Sequence, residues 1–304
     1  MLPTALVALI LASSQSEGPD ATSSALRRLS EEAEVFEHVA PEVLSEEVCR
    51  QKAARVHRRL RLGGAPGQAQ PPSLSYQVRE ITSEYGFATL KEATDGLHEF
   101  RRVISVDGRP IESVAEARRK LTGALKDAND RERRRLLGEF ERWGLEGAAT
   151  DFGQCILLFT RRRLQDYEFK VEQSERIGPD KALVLSFLQR GGSQAFTIFD
   201  RNEVAHQPLE GRVWLRETDS LPLRIELKTA RSREKRPVRD VAVIDYVMSA
   251  HGALMPASVL HRQYFGQELM VENAFQYGPF RKFSASAEIK FTEIDEPPAK
   301  PRPE

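Results

Sequence analysis

The chain has 304 residues, and its 45 Lys plus Arg balance its 45 Asp plus Glu, so no net field draws the whole molecule onto nucleic acid or anionic lipid. Hydrophobic residues make up 40% and charged residues 30%, ordinary globular usage that excludes the fibrous and wholly disordered classes. Cys49 and Cys155 are the whole cysteine complement and lie far apart, which leaves no disulfide framework and no cysteine metal cluster to read from spacing.

The apolar run from Ala5 to Ala12, followed by Ser13, Ser14 and Gln15, has the shape of a signal peptide over residues 1–14. Ala12 and Ser14 are the small residues before a cut, although Lys and Arg are missing from the n-region. Export predicts a periplasmic or secreted protein of the bacterial envelope. The alternative is a partly apolar N-terminus on a cytosolic protein. The run is too short to span a bilayer, and nothing later in the chain is a transmembrane candidate.

Leu26, Leu29, Ala33, Phe36 and Val39 recur at helical spacing and predict an amphipathic helix over 24–39. Pro41 can open a second helix reaching about Leu62, because proline is tolerated in a first turn. Residues 21–62 are then expected to form a helical arm. The stretch 63–72 (GGAPGQAQPP) reads as a linker between that arm and the body.

From Leu74 the period changes to two. Tyr76 and Val78, then Phe100, Ile104 and Val106, predict strands, with Asp107-Gly108 as a turn. Helix returns over 112–143 as a pair, with Ala117, Leu121, Leu125 and Ala128 on one stripe. Everything after Thr150 reads as a β-meander, broken at Gly178-Pro179-Asp180, Gly191-Gly192, Asp219-Ser220, His251-Gly252 and Gly266. Leu221, Leu223, Ile225 and Leu227 alternate with polar neighbours, as do Ala285, Ala287, Ile289 and Phe291; one face of each strand is expected to be buried. The Pro-rich, charged tail, 294–304, is expected to be disordered.

Chemistry-bearing motifs are missing where they would be diagnostic. The glycine pairs lack the spacing that cradles phosphate, the six His residues show no metal-ligand spacing, and no G-x-S-x-G elbow exists. No catalytic residue, metal ligand or cofactor is assigned. Glu31-Glu32 and Glu46-Glu47 are read as solvent-facing helix positions. The basic runs 133–135, 161–163 and 231–236 could touch phosphate or lipid headgroups, but each is bordered by acid, as on a solvated surface. The two cysteines either pair in an oxidising compartment or stay as buried thiols.

Three stretches carry a resemblance: GRVWLRETDSLPLRIEL (211–227), VRDVAVIDYVMSAHGALMPASVLHRQY (238–264) and NAFQYGPFRKFSASAEIKF (273–291). Trp214-Leu215, the Leu223 to Glu226 step, Tyr246 before Gly252 and Pro256, and Phe280 to Phe283 resemble the later strands of the periplasmic lipoprotein-carrier (LolA/LolB-like) superfamily. The front half, with REITSEYGF and EFRRVISVDGRPI, is similar to secreted bacterial proteins without an assigned activity.

The resemblance implies an α+β fold: a curved antiparallel sheet forming an incomplete barrel over 73–293, with helices packed in or over its concave face. It also implies a non-enzymatic envelope protein that holds a hydrophobic ligand, a lipid or a lipidated protein. The ligand-facing set would be Trp214, Leu223, Ile225, Leu227, Tyr246, Leu269, Val271, Phe275 and Tyr277. Two rivals stand beside it: an envelope sensor or scaffold whose barrel is filled by its own helices, Ala117 to Leu125 above all, with the arm meeting a protein partner; and a hydrolase of unidentified mechanism.

Overall fold

The computed structural model describes residues 19–57, 73–92, 96–146, 150–190, 196–200, 203–207, 209–233 and 236–283. The proposed signal peptide, the linker 63–72, the glycine pair 191–192, the strand predicted at 285–291 and the tail lie outside them. Among the described residues no helix is long and apolar enough to cross a membrane.

Most of the chain forms one open antiparallel sheet. In chain order its strands are β1 (Val43–His57), β2 (Ser73–Thr89), β3 (Leu97–Val106), β4 (Arg109–Pro110), β5 (Tyr167–Val171), β6 (Glu175–Ile177) and β7 (Asp180–Gln189). The hairpin β8 (Phe196–Asp200) and β9 (Glu203–Gln207) stands apart as its own small sheet. The large sheet continues with β10 (Glu210–Arg216), β11 (Pro222–Arg233), β12 (Arg236–Met248), β13 (Leu254–Phe265), β14 (Glu268–Tyr277) and β15 (Arg281–Lys282). Its order is β4-β3-β2-β1-β14-β13-β12-β11-β10-β7-β5, so the first and last strands of the chain meet in the middle. Among the described residues three α-helices accompany it: α1 (Pro19–Val39), α2 (Val114–Lys126) and α3 (Asp130–Trp143).

The fold class is the one expected, but the N-terminal arm is not. Residues 43–57 are a central strand, paired with β2 from Leu44↔Gly86 to His57↔Ser73 and with β14 from Glu47↔Tyr277 to Ala53↔Val271. The helix-friendly composition of this segment is overridden by pairing on both sides, since strand preference depends on neighbours rather than on the backbone alone. The segment predicted as a helical arm is therefore part of the sheet from Val43 onward. Tyr76 and Val78, whose alternation marks the strand, are exposed on β2.

The four predicted meander turns that lie among the described residues fall where the sequence puts them. Gly178, Ser220, Gly252 and Gly266 all take positive φ, as tight hairpins require. The segment from Thr150 is the exception. It runs through short 3-10 turns at Cys155–Phe159 and Leu164–Asp166 before β5 begins.

The core has three parts. The largest lies on the concave face and joins Ile81, Tyr85 and Phe87 of β2 to Val213, Ile225, Ile244, Val259 and Phe275 across the sheet, together with Leu29, Ala33 and Phe36 of α1 and Ile156, Leu157 and Phe159. A second cluster packs the predicted stripe Ala117, Leu121, Leu125 and Ala128 against Leu44, Ala88 and Phe100 on the other face of β1–β3. A third, smaller one gathers Ala182, Val184 and Trp214. The concavity is thus filled by α1, the 155–159 turn and Phe140 of α3, not by the helix at 117–125, whose stripe is taken up on the opposite side.

Both cysteines are buried free thiols in the concave core, Cys49 at 1% and Cys155 at 2% exposure. Burial pushes both thiols up from their ordinary value, which keeps them protonated. A thiol-reactive reagent should leave the native protein unlabelled and label both sites after denaturation; rapid labelling of the native protein would contradict this packing.

Candidate functional site

The nine residues expected to line a ligand face do not share one. Ile225, Leu227, Tyr246 and Phe275 are buried together in the concave core, and Tyr277 packs against it. Trp214 and Leu223 belong to the small third cluster instead, where the Trp214 indole donates to Glu175 Oε2 at 2.9 Å. Trp214 takes the opposite face by ordinary alternation between the concave-core residues Val213 and Leu215, and Leu223 leaves it through a register shift that pairs Trp214 with Arg224 but Leu215 with Pro222. A second shift near Tyr264 pairs Gln263 with Val271 but Tyr264 with Leu269. One extra residue reverses the pleat, so Val271 turns inward at 9% exposure while Leu269 shares the outer face with Tyr264.

What the sequence reading missed is a charged cluster set into the concave face. Glu47, Glu99 and Arg101 project inward from β1 and β3, and all three are buried. The Arg101 guanidinium donates Nε to Glu47 at 2.7 and 3.0 Å and Nη2 to Glu99 at 2.7 Å. It also lies 5.1 Å from the Tyr85 ring centroid and 5.3 Å from that of Phe275. Burial raises the Glu47 carboxyl above its ordinary range, opposed by the Arg101 charge and by a hydrogen bond with Tyr277.

Glu99 ties this cluster to the segment that fills the barrel. Its Oε1 accepts from the Tyr85 hydroxyl and the Gly153 amide, both at 2.7 Å, and its Oε2 accepts from the Asp151 amide at 2.7 Å. Asp151 returns the contact, accepting from the Glu99 amide at 3.0 Å and from Arg133 at 2.6 Å. Despite burial, these partners, with His98 first among them, hold its carboxyl below the ordinary range. Tyr246, a predicted ligand residue, works as a second anchor: its hydroxyl accepts from the Ile156 amide at 3.0 Å and donates to the Gly153 carbonyl at 3.2 Å. A Cβ on Gly153 would sit 2.6 Å from the Tyr85 hydroxyl and 2.8 Å from Glu99, so only glycine fits under this clamp.

A second polar track runs beside it. Gln51 donates to Asn273 Oδ1 at 2.9 Å, Asn273 meets His261 Nδ1 at 3.2 Å, and His261 Nε2 meets Asp240 at 3.1 Å, with Phe152 stacked on the imidazole at 4.8 Å. Both His261 nitrogens are engaged by these partners rather than by a hydroxyl or thiol, so the pair is not set up as a base for a nucleophile. Glu32 and Glu47, read as solvent-facing, are both buried. Glu47 turns inward because its segment is a strand, and Glu32 meets Arg28 on the docked face of α1.

A void of about 10 Å³, close to the size of one water, lies where Glu99, Phe100 and Arg101 of β3 meet Arg133, Leu136, Leu137 and Phe140 of α3. The arrangement is an apolar cradle closed by α1 and residues 150–159, with hydrogen-bonded anchors that hold the closing segment by its backbone. Arg161 and Arg162 add exposed ion pairs to Glu34 and Glu37 of α1 at 3.5 and 3.1 Å, which contribute little on their own.

No family model matches the chain, and no curated protein matches it either. Among solved structures it is similar to a LolA superfamily protein from Nitrosomonas europaea, with 10% identity and a TM-score of 0.34 over 85% of this chain and 94% of that one. It is similar to a putative outer membrane lipoprotein-sorting protein domain from Vibrio parahaemolyticus, at 10% identity and a TM-score of 0.33 over 88% and 95%. A DUF1329 family protein from Desulfovibrio piger follows at 9% identity and 0.32, over 85% and 93%.

Proposed function

We propose that the chain is a non-enzymatic, exported envelope protein whose half-barrel binds a hydrophobic ligand, an acyl chain or the lipidated end of a protein. The 1–14 leader pattern supports export to the periplasm or beyond. The observation that carries the binding reading is how the concave apolar face is covered. Helix α1, the turn at 155–159 and the Phe140 end of α3 close it, where a sandwich would use a second sheet. Such a cover is a separable unit, and a ligand that replaces its apolar contacts competes with it directly.

The test is a fluorescent acyl probe, dansyl-undecanoic acid, titrated into the folded protein. Burying a dozen methylenes at about 0.8 kcal/mol each, less the cost of association and of displacing the cover, leaves micromolar affinity at best. Wild-type protein should bind weakly, and Phe36→Ala, which loosens α1, should bind more tightly. If neither binds while circular dichroism shows both folded, the ligand reading is wrong. The filled concavity then favours a scaffold or sensor that meets an envelope protein through the outer side of α1.

A further inference from the structure

We propose that the convex face of the sheet, where β1, β2, β12, β13 and β14 approach their hairpin ends, docks on the headgroups of an anionic phospholipid bilayer. Five residues make the surface. Tyr76 is 40% and Val78 50% exposed on β2, next to Lys52 of β1, which pairs with Val78. The Lys52 ammonium sits 4.5 Å from the Tyr76 ring centroid. Across β14 the motif is repeated: exposed Arg239 pairs with Tyr264 and lies 4.6 Å above its ring. The Tyr76 hydroxyl donates to the Leu269 carbonyl at 3.0 Å, and Leu269 pairs with Tyr264, so the two cation–aromatic units belong to one continuous patch.

Charge decides the partner. Neither Lys52 nor Arg239 has an ion pair among the described residues, in a molecule whose other exposed cations mostly do. On this face Glu272 lies opposite Lys52 but is paired with Arg262 at 2.7 Å, and Glu80 lies opposite Arg50. Unpaired cations stacked on half-exposed tyrosines, with Val78 beside them, fit the headgroup region of a bilayer, which solvates an aromatic ring and a cation together. A soluble phosphate would use the cations alone and leave the apolar surface wet.

The test is co-sedimentation of the full chain with vesicles of phosphatidylcholine alone or mixed with phosphatidylglycerol. Binding is expected only to the mixed vesicles and should weaken as salt screens the cations. K52A/R239A should lose binding by about fivefold per cation removed. Tyr76→Ser should weaken it at every salt concentration, because it removes apolar contact rather than charge. None of these residues lies in the core, so the variants should fold, and acyl-probe binding should be unchanged in them, which separates this surface from the concave site. The proposal is overturned if wild type ignores the mixed vesicles, if K52A/R239A binds them like wild type, or if a short DNA duplex binds as tightly as the vesicles.

Discussion

Arg101→Leu is expected to cost about 3–5 kcal/mol, because it leaves Glu47 and Glu99 buried without their counter-charge. Glu99 retains the Tyr85 hydroxyl and two backbone amides, so the main loss falls on Glu47, whose remaining partner is Tyr277. A shift in the urea midpoint at unchanged slope would report it. The double variant Glu47→Leu/Arg101→Leu should recover part of the loss, since charge is then removed in a pair. The deficit should also depend on pH. Burial already raises the Glu47 carboxyl above its ordinary 4.5, and losing Arg101 raises it further. Proton uptake by the native state then stabilises the variant below that ordinary value, and this contribution fades as pH rises through the raised one. The Arg101→Leu deficit is therefore smallest in acid and largest near neutrality. A loss under about 1 kcal/mol at neutral pH would show that the cluster is solvated.

Phe36→Ala should remove about 3–5 kcal/mol of packing from the docked side of α1, where the ring is fully buried and meets Phe87 edge-on at 5.3 Å. The informative quantity is where the loss appears. If α1 is a separable cover, amide exchange should accelerate over 19–39 while β10 to β14 keep their protection. If protection falls throughout the sheet, α1 belongs to the same cooperative unit as the barrel, and a ligand cannot displace it without unfolding the protein.

The parts of the fold legible in the sequence are those with an apolar rhythm. The stripe at Ala117, Leu121, Leu125 and Ala128 and the alternation around Ile225 and Leu227 both signal burial, and both residue sets are buried. β1 was illegible because its inward positions Ser45, Glu47, Cys49, Gln51 and Ala53 are polar or small, so the period of two carries no hydrophobic signal. Short shifts of register defeated the site reading in the same way, moving Leu223 and Leu269 out of the set that their spacing implied. One trace of the charged cluster was available: in EFRRVISV, Glu99 and Arg101 alternate with Phe100 on a strand with an apolar flank, a pattern that leaves a charged pair on one of its two faces. Its third member, Glu47, comes from a distant strand, and only the sheet order brings it there.

The position of β1 between β2 and β14 has a consequence for how the protein is assembled in time. Glu47 finds its partner Tyr277 only after the whole meander has been synthesised, and Val43 pairs with Lys282 later still. Until then β1 presents one bare edge, and the two halves of the sheet have no shared strand boundary. Contacts this distant in sequence make folding slow and leave the waiting edge open to pairing with another chain. A chain shortened before β14 should accumulate as aggregate even though most of its strands are present.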